Sequence, residues 1–193
     1  RRNSLQKLRE LGINPYPAEE FKTNTTSKEI KREFSPSKKK FQNIFLAGRI
    51  MSRRIMGKAS FFEIKDSHGK IQAYINRDEI CPGEDKKMYN DVFKKHLDIG
   101  DIIGINGEVF ITKVGETSIR VKKLKVLSKA LKPLPIVKTG PDGEIYDEFK
   151  NTELKYRQRS IDLIVNENSW DVFEKRTKIF NTIREELNKK GYM

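Results

Sequence analysis

Phe62 and Ile64 alternate at a spacing of two, which places Phe61 on the opposite face of any strand that carries them. The same alternation around Ile71, Ala73 and Ile75 sets Gln72 and Tyr74 outward, and around Ile50 it sets Arg49 and Arg53 outward. A large exposed aromatic beside an amide and guanidinium groups offers a stacking plate, an edge reader and phosphate clamps, which are the devices single-stranded nucleic acid requires. Catalysis has no comparable set. Ser and His form no triad pattern, Cys81 lies in a Pro-Gly turn without a basic neighbour, and neither a Walker loop nor Gly-x-Gly-x-x-Gly is present. His68 reads as a turn residue and His96 as a partner for a helix C-terminus. One cysteine and two histidines, with no Cys-x-x-Cys, leave no metal-ligand pattern. The sequence therefore predicts neither a catalytic residue nor a metal site in these residues.

Composition points the same way. The 193 residues carry 40 Lys+Arg against 27 Asp+Glu, a formal charge of +13, which favours an anionic partner: nucleic acid or an acidic membrane surface. A mean hydropathy of −0.71 and the lack of any apolar run of about 18 residues exclude a membrane-spanning helix from the sequence. A polybasic surface binder would need an amphipathic helix with a basic face and an exposed Trp, and none is evident. Domains usually run about 100–150 residues, so one complete domain and part of another are expected. Arg1 in place of Met suggests a fragment, and no apolar stretch follows it as in a secretory signal. A single cysteine makes a reducing compartment the default.

The elements that must position these residues follow from periodicity. Leu5, Leu8 and Leu11 predict a helix over 4–11, capped by Asn3 or Ser4 and stopped at Gly12. Thr26 and Glu29 have capping-box spacing for a second short helix carrying Ile30 and Phe34. The run Lys38-Lys39-Lys40 reads equally as a solvated linker or a phosphate contact. From Phe41 the period becomes two. Ile44, Leu46, Gly48 and Ile50, then Phe62 and Ile64, then Ile71, Ala73 and Ile75 predict three strands in a meander, with Asp66-Ser67-His68-Gly69 as a hairpin turn. A helix over 85–96 with Met88, Val92 and Phe93 intervenes. A fourth strand follows with Ile103, Ile105, Val109 and Ile111, and a fifth with Ile119, Val121, Leu124 and Val126, bulged near Lys122-Lys123. Three strands, a helix and two strands in about 90 residues is the layout of a five-stranded oligonucleotide/oligosaccharide-binding (OB-fold) β-barrel. The expected organisation is a helical extension over 1–40, the barrel over 41–131, a Pro/Gly linker over 132–150 marked by Pro133, Pro135, Gly140, Pro141 and Gly143, and helices over 152–165 and 169–190. The last helix would carry Val172, Phe173, Ile179, Phe180, Ile183 and Leu187 on one stripe, capped by Asn168.

Several segments together carry a resemblance. Ala47-Gly48-Arg49 through Arg53-Arg54-Ile55-Met56-Gly57-Lys58-Ala59-Ser60-Phe61, with Gly69-Lys70-Ile71-Gln72, is similar to the anticodon-binding domain of the lysine–tRNA ligase family, the class II lysyl-tRNA synthetases. Leu8 to Pro17, Leu97 to Asp101, Lys113 to Ser118, Ser128 to Pro135 and Tyr156 to Leu163 extend the resemblance over essentially the whole chain. Aspartate and asparagine ligases share the barrel but lack the Arg-Arg-Ile-Met-Gly-Lys-Ala-Ser-Phe run. The family often has Arg and Tyr where this chain has Lys155 and Ser160.

The resemblance implies that Phe61 stacks on the middle uridine of the lysine anticodon. It implies further that Arg54 and Gln72 bind that base or its neighbour, and that Glu116 contacts an adjacent uridine. Uracil presents N3–H between two carbonyls, so an amide or carboxylate can accept from it and an Arg can donate to it. Arg49, Arg53 and Lys58 are the candidate phosphate contacts. The resemblance also implies an ATP-dependent ligase that needs Mg²⁺ and lysine, works in the cytoplasm as a homodimer, and attaches lysine to its tRNA through a lysyl-adenylate. Residues 151–193 would be the truncated start of its α+β catalytic domain, the last helix being a dimer-forming element, and the fragment alone would be inactive. The competing expectation is a non-enzymatic OB-fold protein that binds single strands without base discrimination, which would use several stacking aromatics along a groove.

Overall fold

Alternating apolar residues close five strands into a barrel in the order β1-β2-β3-β5-β4, where β1 is Ile44–Met56, β2 Ala59–Lys65, β3 Lys70–Asn76, β4 Ile102–Ile111 and β5 Thr117–Ser128. The computed structural model describes residues 1–36, 39–135, 137–139, 145–146 and 149–192. Neighbouring strands are antiparallel except β3 and β5, whose parallel pairing from Gln72↔Ser118 to Ile75↔Val121 closes the barrel. The inward set is the predicted one. Ile44, Leu46, Ile50, Phe62, Ile64, Ile71, Ala73, Ile75, Ile103, Ile105, Ile119, Val121, Leu124 and Val126 are buried together, and Ile111 departs from it because β4 has run past the barrel end there.

Two irregularities shape the sheet. Opposite β4, the register jumps from Asn106↔Lys123 to Gly107↔Val121, so Lys122 is the extra residue of the expected bulge. Gly107 permits the close crossing at this point, since a Cβ there would lie 2.0 Å from the Arg120 carbonyl oxygen. The second bulge, at Met51 between the pairs Ile50↔Ile64 and Ser52↔Glu63, was not foreseen. It exchanges the two faces of β1: even positions point inward before it, and Arg53 and Ile55 do so after it.

The ends of the barrel are covered by helices. A helical segment over Met88–His96 has wide turns, as in Leu97 N–H to Val92 C=O at 2.8 Å. It buries Tyr89, Val92 and Phe93, with Phe93 5.2 Å from Phe62 between ring centroids. It begins three residues later than expected, and the four-residue helix α3 (Arg77–Ile80) precedes it, capped by Asn76. Helix α1 (Arg2–Glu10) buries only Leu8 and is preceded by Arg1 with no side-chain cap, so neither Asn3 nor Ser4 caps it. Helix α2 (Ser27–Glu33) starts at Thr26, whose hydroxyl accepts from Glu29 N–H as anticipated. Asp66, in the β2–β3 turn, accepts from Ser27 N–H at 2.7 Å and Ser27 Oγ at 2.6 Å and so ties α2 to the barrel.

The chain after β5 is anchored by a buried charge cluster. Lys129, with no exposed side-chain surface, donates to Asp101 at 2.8 Å and Asp98 at 2.5 Å. Asp101 also accepts from the N–H groups of Asp98 and Ala130, which satisfies both of its buried oxygens.

Two compact units divide the chain, Arg1–Pro133 and Leu134–Met193. In the second, β6 (Lys138–Thr139) pairs with β7 (Ile145–Tyr146), and three helices follow: α4 (Thr152–Arg157), α5 (Arg159–Val165) and α6 (Glu167–Lys189). The single helix expected over 152–165 is broken at Gln158, and α6 begins at Glu167 after Asn166, so Asn168 lies inside it. Asp162 explains that corner, accepting from Asn166 Nδ2 at 2.7 Å and Ser169 Oγ at 3.0 Å and pairing with Arg159. Of the linker signals, Gly140, Pro141 and Gly143 lie outside the described residues, as does Lys38 of the charge run. Among the described residues no helix is long and apolar enough to cross a membrane.

Candidate nucleic-acid interface

The outward face of the barrel is built by register. One row across the strands is Arg54, Phe61, Tyr74, Arg120 and Glu108, and the next is Ser52, Glu63, Gln72, Ser118 and Phe110. Phe61 is half-buried, with its ring 5.1 Å from Tyr74, and Tyr74 meets the edge of Phe110 at 6.1 Å. The aromatic row is therefore continuous, each ring supported from the side.

Elsewhere this outer surface is covered. Phe21 lies over Gly104, where a Cβ would come within 2.6 Å of its ring, and beside Phe45 at 6.3 Å. Asn24 pairs with the start of β1, its N–H donating to Phe45 C=O at 3.1 Å. The segment before α2 thus occupies the β1–β4 side, with Glu19 reaching Lys125 near the end of β5, and leaves β2, β3 and the beginning of β5 as the uncovered part.

Gln72 is fixed by Ser118, whose buried hydroxyl donates to its Oε1 at 2.8 Å. The Gln72 amide is consequently a held edge reader, with its NH₂ group turned from Ser118 and one Oε1 lone pair remaining. Glu116 sits at the β4–β5 turn, two residues before Ser118, with an exposed side chain and its N–H donating to Thr112 Oγ1 at 3.0 Å. Gly115, at φ +85°, makes that turn. Arg54 and Lys58 are exposed and have no ion-pair or hydrogen-bond partner for their side chains among the described residues. Lys58 forms the tight β1–β2 turn with Gly57, whose φ is +60°.

Arg49 and Arg53 are placed differently. The bulge at Met51 turns Arg53 to the Phe62 side, which corrects its expected outward position. Its guanidinium donates to Phe93 C=O at 3.0 Å and to Leu97 C=O, closing the C-terminal end of the Met88–His96 helix. Arg49 donates to Gly100 C=O at 2.7 Å; burial pushes its guanidinium below the ordinary value, and the charge of Asp101 opposes this. The structure thus brings Arg54, Phe61, Gln72 and Glu116 to one side and commits Arg49 and Arg53 to backbone carbonyls. Period-two reading set Tyr74 outward without giving it a role, and it passed over Phe110, Ser118 and Arg120. Phe110 was accessible to it, because it alternates with Val109.

The surface so described can stack an unpaired base and read its edge. Among the described residues no three His, Cys, Asp or Glu side chains are grouped as metal ligands. Residues 44–127 match the tRNA anti-codon family, described as an OB-fold nucleic acid binding domain. Over the whole chain the sequence is 54% identical to the lysine–tRNA ligase of Porphyromonas gingivalis and 55% identical to that of Azobacteroides pseudotrichonymphae, covering 33% and 38% of those proteins. It is 46% identical to the lysine–tRNA ligase of Thermoanaerobacter pseudethanolicus, again over the full chain and 36% of the relative. The chain spans about a third of the length of the curated relatives it matches. The chain thus contains a closed five-stranded barrel of the OB type that matches a nucleic-acid-binding family, and from end to end it is similar to about a third of these lysine–tRNA ligases.

Proposed function

We propose that this chain reads the lysine anticodon for a ligase that joins lysine to its tRNA. The observation that carries the proposal is Phe61, held half-buried against Tyr74 on the uncovered face, with the fixed Gln72 amide two residues along the paired strand. Phe61 stacks on the middle uridine. Gln72 and Arg54 hydrogen-bond that base or its neighbour, and Glu116 accepts from an adjacent uridine. A cytosine in place of uracil leaves a desolvated group unpaired, at a cost of about 1–3 kcal/mol. Lys58 and the overall +13 supply the salt-sensitive attraction to phosphates.

In the whole protein, lysine is activated with ATP as lysyl-adenylate and passed to the tRNA, in the cytoplasm and as a homodimer. ATP, Mg²⁺ and lysine are assigned to the part of the relatives that this chain does not match, while residues 151–193 would contribute the beginning of the catalytic domain. A general single-strand binder is the alternative, and the aromatic row gives it some support. Titration of RNA stem-loops at one fixed salt concentration separates the two. A uridine anticodon loop should bind at least about 5-fold more tightly than its cytidine counterpart, and equal affinities would refute anticodon reading.

A further inference from the structure

We infer that Arg120 and Phe110 form a second base-stacking position for single-stranded RNA, taken by a nucleobase next to the one on Phe61; this rests on the anticodon-reading assignment above. Arg120 is the register partner of Tyr74, and Phe110 that of Ser118, so both lie on the uncovered face beyond β3. The Arg120 guanidinium carbon sits 5.0 Å from the centre of the Phe110 ring. Its Nη1 is 3.5 Å from Glu108 Oε1, while the other Glu108 oxygen accepts from Lys122 at 2.6 Å. Its Nε is inaccessible and has no acceptor among the described residues.

These contacts fix the plane of the guanidinium. One face rests on an aromatic ring, one edge faces a carboxylate, and the side chain nevertheless remains 41% exposed. A planar cation held in this way presents a flat delocalised surface, suited to the face of a base. A phosphate would instead need the fork of N–H groups, and part of that fork is already turned to Glu108. From β2 to β5 is two strand spacings, about 10 Å. This exceeds the rise of about 3.4 Å between stacked bases, so the two bases are held splayed, with Tyr74 between their plates.

The test uses the full chain and labelled RNA stem-loops carrying the uridine anticodon loop. Three further stem-loops each lack one of the three anticodon bases while keeping the backbone. The variant R120K keeps the charge and loses the plane. It should raise Kd about 5- to 20-fold on the intact loop and match wild type on one abasic loop, a different one from the loop on which Phe61→Ala matches wild type. An R120K affinity within twofold of wild type, or a deficit that persists on all three abasic loops as a phosphate contact would give, overturns the inference. Wild-type chain alone provides a check that does not depend on the variant's folding: two different abasic positions must each lose affinity, and loss at only one contradicts a second plate. Failure of the anticodon assignment is read separately, as equal wild-type binding to a loop of shuffled sequence, where the effect of R120K can still be measured.

Discussion

Arg53 and Arg54 are neighbours in sequence and face opposite sides of β1. Arg53 donates to the carbonyls of Phe93 and Leu97, and Arg54 stands opposite Phe61 on the uncovered face. Their replacements should therefore fail in different assays. Arg53→Met removes hydrogen bonds from a charged donor to a helix end and should lower unfolding free energy by roughly 1.5–3 kcal/mol without altering base preference in the folded fraction. Arg54→Met should leave the thermal midpoint near wild type and weaken binding of the uridine loop by a similar amount. Denaturant unfolding and anisotropy on both variants check the pair, and the reverse assignment of effects would contradict the geometry. The distinction was not legible beforehand, because period-two reading has no means of detecting one inserted residue at Met51. Phe61, Gln72 and Tyr74 were legible, since β2 and β3 pair without interruption.

At the scale of elements, each strand was recognisable from its own inward isoleucines and valines, and so was the bulge at Lys122, where two lysines interrupt the alternation. Helix ends were less legible. Gln158, where α4 gives way to α5, has no helix-breaking side chain, and the following corner between α5 and α6 depends on Asp162 collecting Arg159, Asn166 and Ser169. The anchor of β5 was also hidden, since nothing local to Lys129 announces that Asp98 and Asp101 will meet it. Replacing this lysine isolates a buried carboxylate, so Lys129→Met should cost about 3–5 kcal/mol of stability. The same cluster sets a pH dependence. Burial pushes the Asp98 carboxyl up, but the hydrogen bond and charge of Lys129 outweigh this and leave it below the ordinary value. The stabilisation is thus present above about pH 4, the ordinary aspartate value, and is lost as pH falls through the lowered one. Acid unfolding should be steeper for wild type than for Lys129→Met; identical profiles would contradict the pairing.

For the molecule as a whole, the +13 charge and the barrel describe different parts of binding. On the proposed reading, charge supplies attraction that weakens with salt, while the face that carries Phe61, Gln72 and Arg54 supplies discrimination. Val172, Ile179, Phe180, Ile183 and Leu187 of α6 are exposed, and on the proposed reading they are the stripe that the rest of the catalytic domain would cover. Lysine-dependent ATP–pyrophosphate exchange should accordingly be undetectable with this polypeptide, and robust exchange would contradict the assignment of ATP and lysine to residues outside it. The central claim is that Phe61 is a stacking plate for an anticodon base. Its most direct test is the affinity of Phe61→Ala for the uridine stem-loop across a series of salt concentrations. The account predicts a loss of about 1–3 kcal/mol at every concentration with an unchanged slope of log Kd against log salt, whereas wild-type affinity, or a loss that disappears as salt rises, would contradict it.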